Sequence, residues 1–558
     1  MSPLASRKER PWWRDAVTYQ IYPRSYADSN GDGIGDVEGI RSRLPYLKEL
    51  GIDAIWISPW YPSPQHDHGY DVSDYMDIEP DYGTLAQAEQ LIKEANEVGI
   101  KLIVDIVPNH TSSDHKWFQA ALKAGPGSPE RNRYMFRDGK GPNGDLPPNN
   151  WEAVFGGCAW ERVIEADGKP GQWYLHLFAV EQPDLNWENP EVVAHLEDVL
   201  KFWLDRGVAG FRIDVAHGMF KEKGLPDIRK DPAASMLGTE HKPFWDQEGV
   251  HDIYRSWRKI FDSYPGDRMA VAEAWVSPSE RIARYVRSDE LQNSFNFEML
   301  TTLWDAKEIK TKINNSIDAL EEVGAPTSWV FNNHDVVRSV DRLDLGLTNH
   351  GDTTLSRQGD PKKLNIARGT LRARSAALMT LALPGGTYLY QGEELAVPEV
   401  RDIPEDRLTD PRWKMSGYSD RGRDGCRVPM PWTSNPAGAF GFSTNASLKP
   451  EQAWLPQSSW WGTYAVDTQD GVEGSTLSMY RKALAIRKGE EGLGDGPMEW
   501  IEAGKDVVAF ERPGDFACYI NFGAPIELPS NSQVLVSSGP ITGHTLPTDT
   551  AVWVRLVS

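Results

Sequence analysis

Along most of its length the chain repeats one unit, a short β-rich run followed by a segment with apolar residues three and four apart. Such alternation is buried by a parallel sheet wrapped in helices. The β-rich runs lie at 17–22, 54–58, 101–107, 210–215, 269–275, 294–299, 328–334 and 387–391, and eight of them predict a closed (β/α)8 barrel. Between them, Val37, Ile40, Leu44 and Leu47, and again Ala88, Leu91, Ile92 and Ala95, mark crossover helices with one buried stripe. The alternation breaks after the third run: 109–183 is rich in Gly, Pro, Asn and aromatics without helical periodicity, as expected of an inserted subdomain. Further irregular stretches at 341–361 and 395–471 belong at the barrel mouth, where long loops carry function. After a helix at 476–488, short strands at 498–500, 507–511, 517–521, 534–536 and 551–556 predict a small antiparallel β-sandwich. The chain of 558 residues is thus read as an α/β protein: a barrel (1–108 and 184–489), an insertion (109–183) and a C-terminal β domain (490–558).

Charge and cysteine content narrow the function. With 81 acidic against 59 basic residues the net charge is −22, which disfavours nucleic acid and anionic membrane as partners and suits a small neutral substrate. The three cysteines, Cys158, Cys426 and Cys518, have no metal-like spacing and form no disulfide framework, as in a reducing compartment. No export signal and no apolar run of roughly 18 residues is seen, so a cytoplasmic protein is expected, as a monomer or homodimer.

Polar residues gather where the strand runs end. Asp105 and His110 close the third in DIVPNH, Arg212 and Asp214 the fourth in GFRIDVAHG, Glu273 the fifth in VAEAW, and His334 with Asp335 the seventh in FNNHD. Taken singly, a carboxylate at a strand end serves equally as a helix cap or an ion-pair partner. Four such ends in barrel order converge on one cleft, which is what glycoside hydrolysis needs: an attacking carboxylate, a protonated carboxylic acid, and charge opposite an oxocarbenium-like transition state.

Those four segments, in that order, resemble the four short regions of the α-amylase family of glycoside hydrolases. QPDLN at 182–186 is similar to the fifth region of its oligo-1,6-glucosidase and α-glucosidase branch. WWRDAVTYQIYPRSYADSNGDGIGD and GTYLYQGEE are in that branch's style. The resemblance implies Asp214 as nucleophile, Glu273 as acid/base and Asp335 as the carboxylate that binds sugar hydroxyls. It implies that Arg212 keeps the nucleophile ionised and that His110 and His334 donate hydrogen bonds to the sugar. Asp67 and Tyr70 match the terminal-glucose contacts, with Arg427 as the arginine pairing with that aspartate and Arg423 as the second choice. Phe155, Phe178 and Gln182 match pocket-lining positions of the insertion, and Val215 the residue near the acceptor sugar that accompanies α-1,6 activity.

The Asp-rich stretch from Asp28 to Asp36 spaces oxygen ligands as a calcium loop does, but Gly39 stands where an EF-hand places its bidentate glutamate. The branch holds one structural Ca2+ or Mg2+ there, implying Asp28, Asn30, Asp32, Asp36 and the Ile34 carbonyl as ligands, with no catalytic cofactor. The expected activity is that of an exo-acting, retaining α-glucosidase on short α-glucosides. The alternatives are a glucosyltransferase or isomerase, a strict oligo-1,6-glucosidase, and a non-catalytic amylase-like subunit, which the retained acids argue against.

Overall fold

A computed structural model describes residues 9–228, 242–347 and 359–557. Among them, eight parallel strands form the central sheet: β1 (Val17–Ile21), β2 (Ala54–Ile57), β3 (Lys101–Ile106), β4 (Gly210–Ile213), β5 (Met269–Ala272), β6 (Asn293–Ser294), β7 (Ser328–Val330) and β8 (Gly386–Tyr390). β8 pairs with both β7 and β1, and a parallel bridge from Asn296 to Trp329 joins the remaining gap, which closes the barrel. Strand alternation sorts the side chains. Ala54, Trp56, Ile103, Met269, Val271, Val330 and Tyr388 form one buried cluster inside, whereas Ile55, Ile57, Leu102, Val104, Phe211, Ala270, Trp329 and Leu389 join the layer shared with the helices. Continuing the inner parity brings Asp105, Arg212, Asp214, Glu273 and His334 to the mouth.

The crossover helices follow the expected stripes. Helix Leu85–Glu97 buries Ala88, Leu91, Ile92 and Ala95 behind a capping box of Thr84 and Gln87. The stripe from Val37 to Leu47 spans two short helices, Val37–Ser42 and Leu44–Leu50, because Pro45 starts a new one. The sixth run differs from expectation: after Asn293–Ser294, Asn296 caps a helical turn, Phe297–Leu300.

The segment after β3 is less irregular than its composition suggests. It contains helix Lys116–Ala124, capped by His115, and a three-stranded antiparallel sheet of Phe136–Arg137, Pro170–Leu175 and Trp160–Ile164. The stretch expected to be irregular from residue 341 begins inside helix Ser339–Leu345, while its part at 348–358 lies outside the described residues. Beyond helix Thr476–Gly489, a five-stranded antiparallel sheet packs one face on the barrel, where Trp553 donates to the Leu378 carbonyl at 2.9 Å. Its other face meets a two-stranded ribbon through Val507, Tyr519, Leu528, Leu546 and Val552.

Candidate active site

One guanidinium organises the floor of the mouth. Arg212, 1 % exposed, places Nη1 at 3.0 Å from Asp105 Oδ1 and 2.5 Å from Asp214 Oδ1, and Nη2 at 2.7 Å from Glu273 Oε2. The β4 to β5 pairing, with Ile213 beside Ala272, sets Asp214 and Glu273 at adjacent strand ends. Glu273 also accepts from the Val215 backbone N–H at 3.0 Å and from Trp275 Nε1 at 3.1 Å. Burial raises the Asp214 carboxyl above its ordinary range, the Arg212 charge opposes that rise, and the nearby Glu273 adds to it. Asp105, pushed up to about 7 by burial against the pull of Arg212, sits deepest and also receives the Tyr70 hydroxyl at 3.1 Å.

A second cation set lies opposite. Arg423 donates to Asp67 Oδ1 at 2.7 Å, Asp335 Oδ1 at 3.0 Å and Asp410 Oδ2 at 2.7 Å. Arg423, rather than Arg427, therefore pairs with Asp67. Asp410 decides this, because its carboxylate both caps helix Pro411–Met415 and grips the Arg423 backbone N–H and Nε. Arg427 lies behind, donating to the His334 carbonyl at 2.8 Å and Asp335 Oδ1 at 2.9 Å, with its Nη1 3.0 Å from His68 Nδ1. Burial alone would raise Asp335; His334, Arg423, Arg427 and Arg212 outweigh it and hold this carboxyl below the usual range. Its side chain is 24 % exposed, against 8 % for Asp214 and 4 % for Glu273, so it presents the most open charge to the cleft.

The other expected residues join the same wall. The Tyr70 ring stacks on His334, centroids 5.1 Å apart and planes at 5°, so its face is already covered on one side. Gln182 Nε2 lies 3.3 Å from Asp67 Oδ2 and 3.1 Å from His110 Nε2. Phe178 packs against His110 and Phe155, and Arg423 lies over the Phe155 ring at 5.2 Å. Val215, a β-branched residue at φ +44, packs with Phe155, Phe178, Phe244 and Trp245; holding that backbone in the left-handed region is costly and is a strain typical of functional sites. Sequence reasoning missed Asp410, Trp275 and Gln20, whose Nε2 lies 2.7 Å from His334 Nδ1. The inner parity of β1, Thr18 then Gln20, was the available signal for the last.

The Asp28 to Asp36 loop folds on itself. Asp28 accepts from Gly31 and Gly33 N–H, Asp36 from Ser29, Asn30 and Gly39 N–H, and Asp32 from Ile34 N–H and Asn30 Nδ2. Among the described residues no three His, Cys, Asp or Glu side chains stand together as metal ligands. The donor set nevertheless fits a hard cation by chemistry: carboxylate, amide and carbonyl oxygens, each carboxylate having acceptor capacity left.

A closed parallel barrel with two mouth carboxylates on one buried arginine defines a class, the carboxylate-dependent glycoside hydrolases. The α-amylase catalytic-domain model matches residues 20–496, and the chain belongs to that family and is an enzyme. It is 36 % identical over 554 residues to a probable α-glucosidase of Rhizobium meliloti (strain 1021), covering 96 % of this chain and 93 % of that one. It is 37 % identical over 511 residues to an oligo-1,6-glucosidase of Parageobacillus thermoglucosidasius, covering 86 % and 84 %. A solved α-glucosyl transfer enzyme, XgtA, superposes with a TM-score of 0.84 at 33 % identity, over 98 % of this chain and 99 % of that one.

Proposed function

We propose that this enzyme is an exo-acting, retaining α-glucosidase that releases α-glucose from the non-reducing end of short α-glucosides. The observation that carries the reading is the Arg212 bridge: one guanidinium touching both Asp214 and Glu273 keeps the two carboxyls close, as retention requires at about 5 to 5.5 Å. In the first displacement an Asp214 oxygen attacks the anomeric carbon while the Glu273 proton passes to the glycosidic oxygen, and the aglycone leaves as an alcohol. In the second, Glu273 takes a proton from water, the water oxygen attacks the same carbon, and Asp214 is released. Arg212 supports the charge on Asp214, and Asp335 meets the sugar hydroxyls and the positive charge that develops. The Asp67–Arg423–Asp335 chain walls off one end of the cleft, which favours binding of a terminal sugar.

The likeness to XgtA, an α-glucosyl transfer enzyme, favours a second reading in which a sugar hydroxyl replaces water in the second step. Among the described residues no helix is long and apolar enough to cross a membrane. Cytoplasmic placement, a monomeric or homodimeric state and one structural Ca2+ or Mg2+ on the Asp28, Asn30, Asp32, Ile34, Asp36 loop complete the proposal, resting on composition and on the loop's donor chemistry. Turnover of 4-nitrophenyl α-glucoside, followed by a panel of maltose, isomaltose, kojibiose, nigerose, trehalose and sucrose, tests it. Glucose release from several of these is expected; no release from any overturns it.

A further inference from the structure

Lys221 lies in the segment after β4, seven residues beyond Asp214, and its side chain is 1 % exposed. Its ammonium lies 2.8 Å from Asp184 Oδ2 and 2.9 Å from Asn109 Oδ1, and it also donates to the Gly218 carbonyl. An ammonium only donates, so the Asn109 atom facing it has to be the amide oxygen. The other end of that amide is then the nitrogen, 3.1 Å from Asp184 Oδ2 and 3.1 Å from His110 Nδ1. An amide nitrogen also only donates; His110 Nδ1 is therefore the bare, accepting nitrogen. At the far side of the ring, Nε2 lies 3.2 Å from the Tyr70 carbonyl, which only accepts, so Nε2 carries the hydrogen. The Asn109 amide at Nδ1 and the Tyr70 carbonyl at Nε2 call for the same tautomer. Burial, helped by the Lys221 charge, holds the imidazole down to about 4, so it is neutral at ordinary pH.

We propose that Lys221, acting through Asn109, fixes His110 as the neutral Nε2–H tautomer, which makes Lys221 and Asn109 positioning residues of the sugar pocket. This rests on the reading of that pocket as a glucoside site. The Gln182 oxygen accepts the Ala179 N–H at 2.9 Å, so its nitrogen, 3.1 Å from His110 Nε2 and 3.3 Å from Asp67 Oδ2, donates to the Asp67 carboxylate rather than to the ring. The Nε2–H is thereby held on the carbonyl of Tyr70, whose ring stacks on His334 in the same pocket wall, so the tautomer anchors the His110 ring there. With the opposite tautomer His110 would set a lone pair against the Tyr70 carbonyl oxygen and the ring would lose that anchor.

The test uses the full chain labelled with 15N-histidine, with His110 assigned by comparison with a His110→Gln variant. Its Nδ1 is expected to resonate as an unprotonated ring nitrogen and Nε2 as a protonated one. Asn109→Asp replaces the amide donor with an oxygen that Lys221 still contacts, so the proton should move to Nδ1, and kcat/KM for 4-nitrophenyl α-glucoside should fall roughly tenfold or more, mainly through KM. Lys221→Met leaves Asp184 buried without its cation and tests folding more than positioning; Lys221→Met with Asp184→Asn is neutral and should give His110 a mixture of tautomers. An Nδ1–H tautomer in the unsubstituted protein, or an unchanged tautomer in Asn109→Asp, overturns the proposal. The stated tautomer in a protein that turns over no α-glucoside overturns the glucosidase reading and leaves the lock standing.

Discussion

Two carboxylate-rich regions of this molecule are compensated in opposite ways. At the mouth, Asp67, Asp105, Asp214, Glu273, Asp335 and Asp410 each meet a guanidinium of Arg212, Arg423 or Arg427. In the loop before the first crossover helix, Asp28, Asp32 and Asp36 meet backbone amides and short polar side chains, with no basic side chain contacting them among the described residues. Arginines are permanently charged, planar and covalently held, so the geometry of the mouth does not depend on an ion from solution. The loop leaves net negative charge that a hard cation would neutralise. Chemistry thus falls to the region that carries its own cations, and the proposed metal would serve stability in the other.

The largest effect should come from the two carboxylates on Arg212. Asp214→Ala and Glu273→Gln are each expected to lower kcat by about a thousandfold or more with the fold intact by circular dichroism, because both act on transition-state charge and proton position. Near wild-type turnover in either variant removes the mouth's assigned role. Next is Arg423→Lys, since one ammonium cannot serve Asp67, Asp335 and Asp410 together. A loss of roughly 10 to 100-fold in kcat/KM is expected. The sign with pH follows from Asp335: cations hold its pKa down, so weakening one raises it and the acid limb of kcat/KM moves to higher pH. An unmoved acid limb would show that Arg423 does not tune Asp335.

Smaller effects probe the wall and the loop. Val215→Thr keeps the shape and the N–H that holds Glu273, and should shift the maltose to isomaltose ratio of kcat/KM toward α-1,4 by up to about tenfold. An unchanged ratio makes Val215 a packing residue of the Phe155, Phe178 and Trp245 cluster. Chelation should lower the melting temperature by a few degrees without abolishing turnover, because a bound ion stabilises only the folded state. If elemental analysis finds neither Ca2+ nor Mg2+ and neither ion shifts melting, the loop is held by its own amides.

The barrel was legible because strand parity and crossover stripes are local signals, and DIVPNH, GFRIDVAHG, VAEAW and FNNHD keep Asp105, Arg212, Asp214, Glu273 and His334 on the inner parity. Helix Ser339–Leu345 was not, because its buried residues mix charge with apolar groups: Asp341 pairs with Arg401 and Arg342 donates to backbone carbonyls beside Val340 and Leu343, so the apolar stripe is too short to mark it. The short sixth strand was overestimated because Phe295, Phe297 and Met299 are buried as strand residues would be, although Asn296 turns the chain into a helix. Arg423 and Arg427 sit four residues apart on one long loop with similar neighbours; only the grip of Asp410, a residue distant from every recognised motif, separates them.

The stereochemistry of the first product tests the central claim most directly. Proton NMR within the first turnovers of 4-nitrophenyl α-glucoside should show α-glucose appearing before mutarotation, as two inversions at one carbon through Asp214 require. β-Glucose appearing first would mean a single displacement by water, and would contradict Asp214 as the nucleophile.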